Sequence, residues 1–175
     1  MKKSEKRWTS LMKKLNLILS SLIFILFFTI ETDASSDFKK IIKGPAKIID
    51  GDTIKIKGKK IRFFGIDAPE IKQTCRNKNS QFYKCGNEAK FALEMYIFSE
   101  VICYYNNKDR YGRILGICFV EGTELNKMMV QSGNAVAYLK YSKKYLNDQE
   151  IAKNKNRGIW SGEFDMPWEW RKKKK

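Results

Sequence analysis

From Phe38 onward the apolar positions fall into short runs, each closed by a turn residue. Phe38 to Ile49 and Asp52 to Lys57 read as two strands, and in the second Ile54 and Ile56 alternate with lysines, the period of a strand with one buried face. Gly58 supplies a turn, and Lys60 to Ile66 returns as a third strand that Pro69 stops, because proline has no backbone N–H to give to a ladder. The polar stretch from Ile71 to Gly86 predicts an exposed loop. The period then changes. Ala89, Ala92, Leu93, Tyr96 and Ile97 recur at helical spacing, which predicts a helix over Asn87 to Glu100. Val101 to Tyr105 and Ile114 to Val120 read as two further strands, joined by Asn106-Asn107-Lys108-Asp109. Glu124 to Gln131 and Tyr145 to Asn156 predict two more helices, ended by Gly133 and Gly158.

Five short strands with one intervening helix, followed by two helices, predict an α+β chain that is mainly β: a five-stranded barrel of the oligonucleotide-binding type with three helices. The polar–apolar pattern before Phe38 is of a different kind. Lys2, Lys3, Lys6, Arg7, Lys13 and Lys14 precede an apolar run from Leu15 to Ile30, and Thr32-Asp33-Ala34 offers small residues at the two positions that a signal peptidase reads. The expectation is a signal peptide over 1–34, one domain over 35–171 and a basic tail over 172–175. The protein is then exported, extracellular or periplasmic. It stays on the membrane only if the apolar run is retained, and that run is short for the roughly 20 residues of a bilayer span.

Charge sharpens the picture. The chain carries 35 Lys and Arg against 19 Asp and Glu, a formal net charge of +16. The 141 residues after Ala34 keep 29 basic and 16 acidic side chains, a net of +13. Such an excess favours polyanionic partners, nucleic acid first among them. There is no histidine. Ser-His-Asp and Cys-His catalysis, histidine-based ribonuclease chemistry and histidine-ligated zinc or iron are therefore excluded. A metal must sit among oxygens, which favours Ca²⁺, Mg²⁺ or Mn²⁺. Four cysteines, Cys75, Cys85, Cys103 and Cys118, allow three pairings in an exported chain. The favoured set is Cys75–Cys85, closing the polar loop, with Cys103–Cys118, bridging neighbouring strands; free thiols or zinc are the alternatives.

The candidate chemistry lies at the ends of the predicted strands. Ile49-Asp-Gly-Asp52-Thr53 is followed by Arg62-Phe-Phe-Gly-Ile-Asp67-Ala-Pro-Glu70, and later by Asp109-Arg-Tyr-Gly-Arg113. Carboxylates can hold a hard cation and supply a base, while forked guanidinium donors can match a phosphate where lysine cannot. Asp50 serves the turn. A catalytically inactive nucleic-acid-binding module, or a cationic wall- or membrane-binding protein, would account for the charge. Neither accounts for the ordered acids and arginines.

These three motifs, in order and at compatible spacing, resemble the staphylococcal nuclease (thermonuclease) family. Leu125-Asn126 through Gly133, and Gly158-Ile-Trp160 through Trp168-Glu-Trp170-Arg171, resemble later parts of its exported bacterial members. The resemblance covers residues 40–171. It implies a calcium-dependent nuclease that cleaves the phosphodiester bonds of DNA and RNA and leaves 3′-phosphates; no protein partner is indicated, and a monomer is expected. It also implies Asp52, Asp67 and the Ala68 carbonyl as Ca²⁺ ligands, Glu70 as general base, Arg62 and Arg113 as phosphate-binding catalytic residues, and Tyr111 and Tyr138 as nucleotide contacts. Ala68 departs from the threonine of the prototype, which keeps a carbonyl but loses a hydroxyl. The cysteines are absent from that prototype.

Overall fold

The computed structural model describes residues 38–174, so the expected signal peptide lies outside the described residues. The first predicted strand is bent into two, β1 (Lys40–Gly44) and β2 (Ala46–Asp50), on either side of Pro45. Proline cannot donate to a ladder, so a break there is expected. β3 (Thr53–Ile56) and β4 (Lys59–Phe63) form a hairpin whose turn uses Gly58 at φ 80°. Beyond it come the two-residue strand β5 (Ile66–Asp67) and a small hairpin of β6 (Cys75–Arg76) with β7 (Phe82–Tyr83), which structures the segment read as a loop.

Helix α1 (Cys85–Tyr96) starts at the disulfide rather than at Asn87. β8 (Val101–Lys108), β9 (Ile114–Val120) and β10 (Thr123–Glu124) then lead into α2 (Leu125–Gln131), β11 (Val136–Ala137), α3 (Leu146–Asn154), a 3₁₀ turn at Gly158–Ser161 and α4 (Pro167–Lys173). The described residues thus carry a fourth α-helix that periodicity does not reveal, and it runs into the basic segment read as a tail. Pro167 at its first turn is the available signal, since proline is pre-organised for that position.

The main sheet runs β1-β8-β9-β4-β3-β2, with β10 added to β9. β1 and β2 lie at opposite ends of that order yet are joined through a single residue, so the sheet must curl until its two edges meet. Counted as one bent strand with β3, β4, β8 and β9, they make the expected five-stranded barrel. Its neighbours are antiparallel except β4 with β9, which pair in parallel through Ile61↔Ile114. Ile54, Ile56, Ile61, Phe63, Leu93, Ile114, Leu125 and Met129 fill the interior and are all but inaccessible. Each such side chain contributes on the order of 1.5–3 kcal/mol by leaving water.

One buried polar group has a structural task. Asn126 on α2 accepts from the Cys118 N–H at 3.0 Å and donates to the carbonyls of Gly116 (3.1 Å) and Phe64 (3.0 Å). Every capacity it uses is matched, so its burial is not penalised, and it clamps α2 to the strand ends that carry the site.

Both favoured disulfides are present. Cys103 and Cys118 are direct cross-strand partners of β8 and β9, with Cα atoms 4.0 Å apart, and Cys75–Cys85 joins β6 to the start of α1. Among the described residues no helix is long and apolar enough to cross a membrane.

Candidate active site

The site is built at one end of the barrel, where the β2–β3 turn, the end of β4, β5 and the β8–β9 loop open into a cleft of about 510 Å³. The Asp50-Gly51-Asp52 turn is held by a hydrogen bond from the Asp52 N–H to Asp50 Oδ1 at 3.1 Å, so Asp50 does shape the turn. Burial raises the Asp50 carboxyl above its ordinary value, against the opposing pull of Arg62. Gly51 is needed for a steric reason: a Cβ there would come within 2.8 Å of the side chains of both Ala68 and Ala89. The turn therefore lies flat against β5 and α1 and delivers Asp52, almost fully buried, to the cleft floor.

Asp52 accepts from Thr53 Oγ1 at 3.0 Å and from the Ala68 N–H at 2.7 Å, and it pairs with Arg62 Nη1. The same guanidinium reaches Asp67 Oδ1 at 2.5 Å through Nη2. One arginine therefore spans both predicted metal-ligand carboxylates, which shows that Asp52, Asp67 and the Ala68 backbone converge within a few ångströms. Burial lowers the Arg62 pKa while the charge of Asp67 raises it, and the guanidinium stays charged throughout.

Asp67 is wholly inaccessible. Its second partner is Arg171 of α4, whose Nη1 and Nη2 reach Oδ1 and Oδ2 at 3.1 and 2.7 Å. Arg171 Nη1 also reaches Glu70 Oε1 at 2.7 Å. Burial alone would lower the Arg171 pKa, but the hydrogen bonds and charges of Asp67 and Glu70 outweigh it and raise it. Arg62 thus serves the two aspartates, while Arg171 serves Asp67 and Glu70.

The Glu70 backbone is fixed from behind. Its N–H donates to Gln73 Oε1 at 3.2 Å, its carbonyl accepts from the Gln73 N–H at 2.7 Å, and Gln73 Nε2 donates to the Asp165 carbonyl at 2.7 Å. Gly86 permits this seat, because a Cβ there would lie 1.8 Å from the Glu70 carbonyl oxygen.

Arg113 enters from the β8–β9 loop. Asp109 accepts from the Arg113 Nε at 2.7 Å and from the amides of Tyr111 and Arg113, both at 2.9 Å. Partial burial would raise the Asp109 carboxyl, but these hydrogen bonds outweigh it and hold it below its ordinary value. Tyr111 is largely exposed, with the Arg110 guanidinium 4.8 Å from its ring centroid. Tyr138 lies across the cleft, stacked on Trp168 at 5.4 Å with planes 10° apart and edge-on to Tyr141 at 4.9 Å. Sequence reasoning gave roles to Asp50, Asp52, Arg62, Asp67, Ala68, Glu70, Tyr111, Arg113 and Tyr138, but none to Arg171, Gln73, Asp109, Arg110 or Tyr141, and no stacking role to Trp168. Their partners lie too far along the chain, or in too irregular a loop, for spacing to show.

The donor set suits a hard divalent cation, being two carboxylates beside a backbone turn with room for water and phosphate oxygen. Among the described residues no group of three or more Asp, Glu, His or Cys side chains forms a metal cage. An ion would therefore be held mainly by Asp52 and Asp67, sharing Asp67 with arginine. Around the cleft, Asp50, Asp52, Glu70 and Asp109 face Arg62, Arg110, Arg113 and Arg171. With the buried Asp67 beneath them that is five acids to four arginines, so an added divalent cation would turn the site positive toward a phosphate.

A family model described as "Staphylococcal nuclease homologue" matches residues 60–162. The chain is 38% identical over 123 residues to the succinoglycan biosynthesis protein ExoI of Rhizobium meliloti (strain 1021), covering 68% of this chain and 64% of that protein. It is 34% identical over 136 residues to an uncharacterized endonuclease of Escherichia coli, covering 73% and 83% of the two chains. It is 31% identical over 149 residues to the staphylococcal-like nuclease CAN1 of Arabidopsis thaliana, covering 82% of this chain and 43% of that one. The match thus spans less than two thirds of two of these three relatives.

Proposed function

The chain belongs to the staphylococcal nuclease homologue family, and from that premise we propose that it is a calcium-dependent nuclease that hydrolyses DNA and RNA to 3′-phosphorylated products after export. The observation that carries this reading is the convergence of Asp52 and Asp67 on one guanidinium, with Glu70, Arg113 and Tyr111 around the same cleft.

Asp52, Asp67 and the Ala68 carbonyl would hold the ion, which when bound polarises the phosphoryl group and neutralises charge on it. Glu70, on the rigid bend after Pro69, removes a proton from the attacking water as its oxygen bonds to phosphorus. The bond from phosphorus to the 5′-oxygen breaks, that oxygen leaves as a hydroxyl with a proton taken from water, and the phosphate stays on the 3′ side. Arg62 and Arg113 donate forked hydrogen bonds to the charge that grows on the phosphoryl oxygens. Tyr111 and Tyr138 offer ring faces to the flanking nucleotides.

The test is single-turnover cleavage of a labelled oligonucleotide, with a binding titration alongside. Chelation should abolish cleavage. Glu70→Gln keeps the shape but not the base, and should slow cleavage by roughly 10²–10⁴-fold at similar affinity. Cleavage that survives both treatments would remove the ion and Glu70 from the reaction. Binding without any cleavage would make the protein a nucleic-acid-binding module.

A further inference from the structure

Arg171 lies 104 positions beyond Asp67 and is delivered to it by a tethered strap. The Arg76 and Glu163 backbones exchange two hydrogen bonds, at 2.8 and 3.1 Å, and Gln73 Nε2 holds the Asp165 carbonyl. Pro167 then starts α4, and Trp168 and Arg171, three apart and so on one face of the helix, reach Tyr138 and the two carboxylates respectively.

We propose that Arg171 is a positioning residue for Glu70, and that its grip on Asp67 lowers the affinity of the site for the divalent cation. The inference rests on the calcium-nuclease reading above. Arg171 shares Asp67 Oδ1 with Arg62, and its Nη1 joins that oxygen to Glu70, which Arg62 does not reach. Gln73 fixes only the backbone of Glu70, and the side chain, 37% exposed, is oriented by Arg171. One nitrogen thus sets the placement of the base relative to a carboxylate that would hold the ion. The same contact has an electrostatic cost for the cation. Asp67 is wholly buried, and both its oxygens accept from guanidinium N–H groups. An incoming ion must share those oxygens with a fixed positive charge. Arginine never loses its proton in a protein, so pH does not relieve this competition.

The two roles have opposite signs, which makes the proposal testable. Calcium binding to the full-length protein is measured by titration calorimetry for the wild type, Arg171→Gln and Arg171→Lys. Single-turnover cleavage of a labelled oligonucleotide is followed at saturating Ca²⁺, with its affinity and the thermal unfolding of each variant. Arg171→Gln should bind Ca²⁺ about tenfold more tightly, the equivalent of one charged hydrogen bond that no longer competes. It should nevertheless cleave roughly 10–100-fold more slowly, the usual effect of losing a group that orients a ligand or base, with unchanged oligonucleotide affinity. Arg171→Lys keeps the charge but cannot bridge two carboxylates, so it should bind Ca²⁺ like the wild type and still cleave slowly.

Weaker calcium binding together with slower cleavage would make Arg171 mere scaffolding and overturn the proposal. Tighter binding with faster cleavage would make it a plug, and lost oligonucleotide affinity at an unchanged rate would make it a phosphate contact; either also overturns it. A wild type that neither binds nor needs Ca²⁺ overturns the underlying reading and this one together, and is told apart by being seen in the wild type itself.

Discussion

Asp109 accepts from the Tyr111 and Arg113 amides and from the Arg113 guanidinium, so a single carboxylate both folds the β8–β9 loop and aims an arginine. Its carboxyl sits below the ordinary 3.8 despite partial burial, because those hydrogen bonds favour the charged form. A carboxyl depressed in the folded state lends stability above its unfolded pKa, and that stability is lost as pH falls through the lower folded value. Wild type should therefore unfold at a higher temperature than Asp109→Asn at neutral pH. The gap should close only as pH drops below about 3.8, and a gap independent of pH would show that Asp109 acts by shape alone. Asp52, Arg62, Asp67 and Glu70 were legible because one stretch of 19 residues, 52–70, supplies all four. Asp109 sat inside a quoted motif but read only as part of a turn, since nothing in a one-letter string tells a loop former from an arginine's anchor.

The Cys75–Cys85 bridge joins the β6–β7 hairpin to the first residue of α1, immediately before the glycine that seats Glu70. Cys85 Sγ also lies 3.5 Å from the Gln73 carbonyl. Replacing both cysteines by alanine should cost about 2–3 kcal/mol by freeing a ten-residue loop in the unfolded chain, read from denaturant midpoints. It should also slow cleavage more than the matching change at Cys103 and Cys118, which lie in the barrel wall away from the cleft. Equal activity in the two double variants would mean that the hairpin does not support the base. The pairings themselves could be favoured from sequence, because each closes a loop or a predicted strand pair. The strand break at Pro45 and the hairpin within 71–86 could not. Periodicity over so few residues does not distinguish one bent strand from two, or a two-residue strand from a turn.

Across the whole molecule, the net charge of +13 after Ala34 should make oligonucleotide binding fall linearly with salt on a log–log plot, by about 0.7 per phosphate contacted on a single strand. Arg113→Gln should flatten that slope by about one contact, roughly 0.7, and a slope unchanged by the substitution would remove Arg113 from the phosphate path. The barrel was visible in the sequence because local alternation and turns specify it, whereas the strap was not, since its hydrogen bonds bridge 87 to 104 positions. That separation has a consequence for biogenesis. A ribosome makes Asp52, Asp67 and Glu70 long before it makes Arg171, and β1 before the β8 strand that pairs with it. Chains fold from their N-terminal end as they emerge, but here an early segment has no late partner to close on. Asp67 and Glu70 therefore gain their shared guanidinium only after 101 residues beyond Glu70 have been made. Until then the two cleft carboxylates of a nascent chain stand without the Arg171 partner that the folded site gives them.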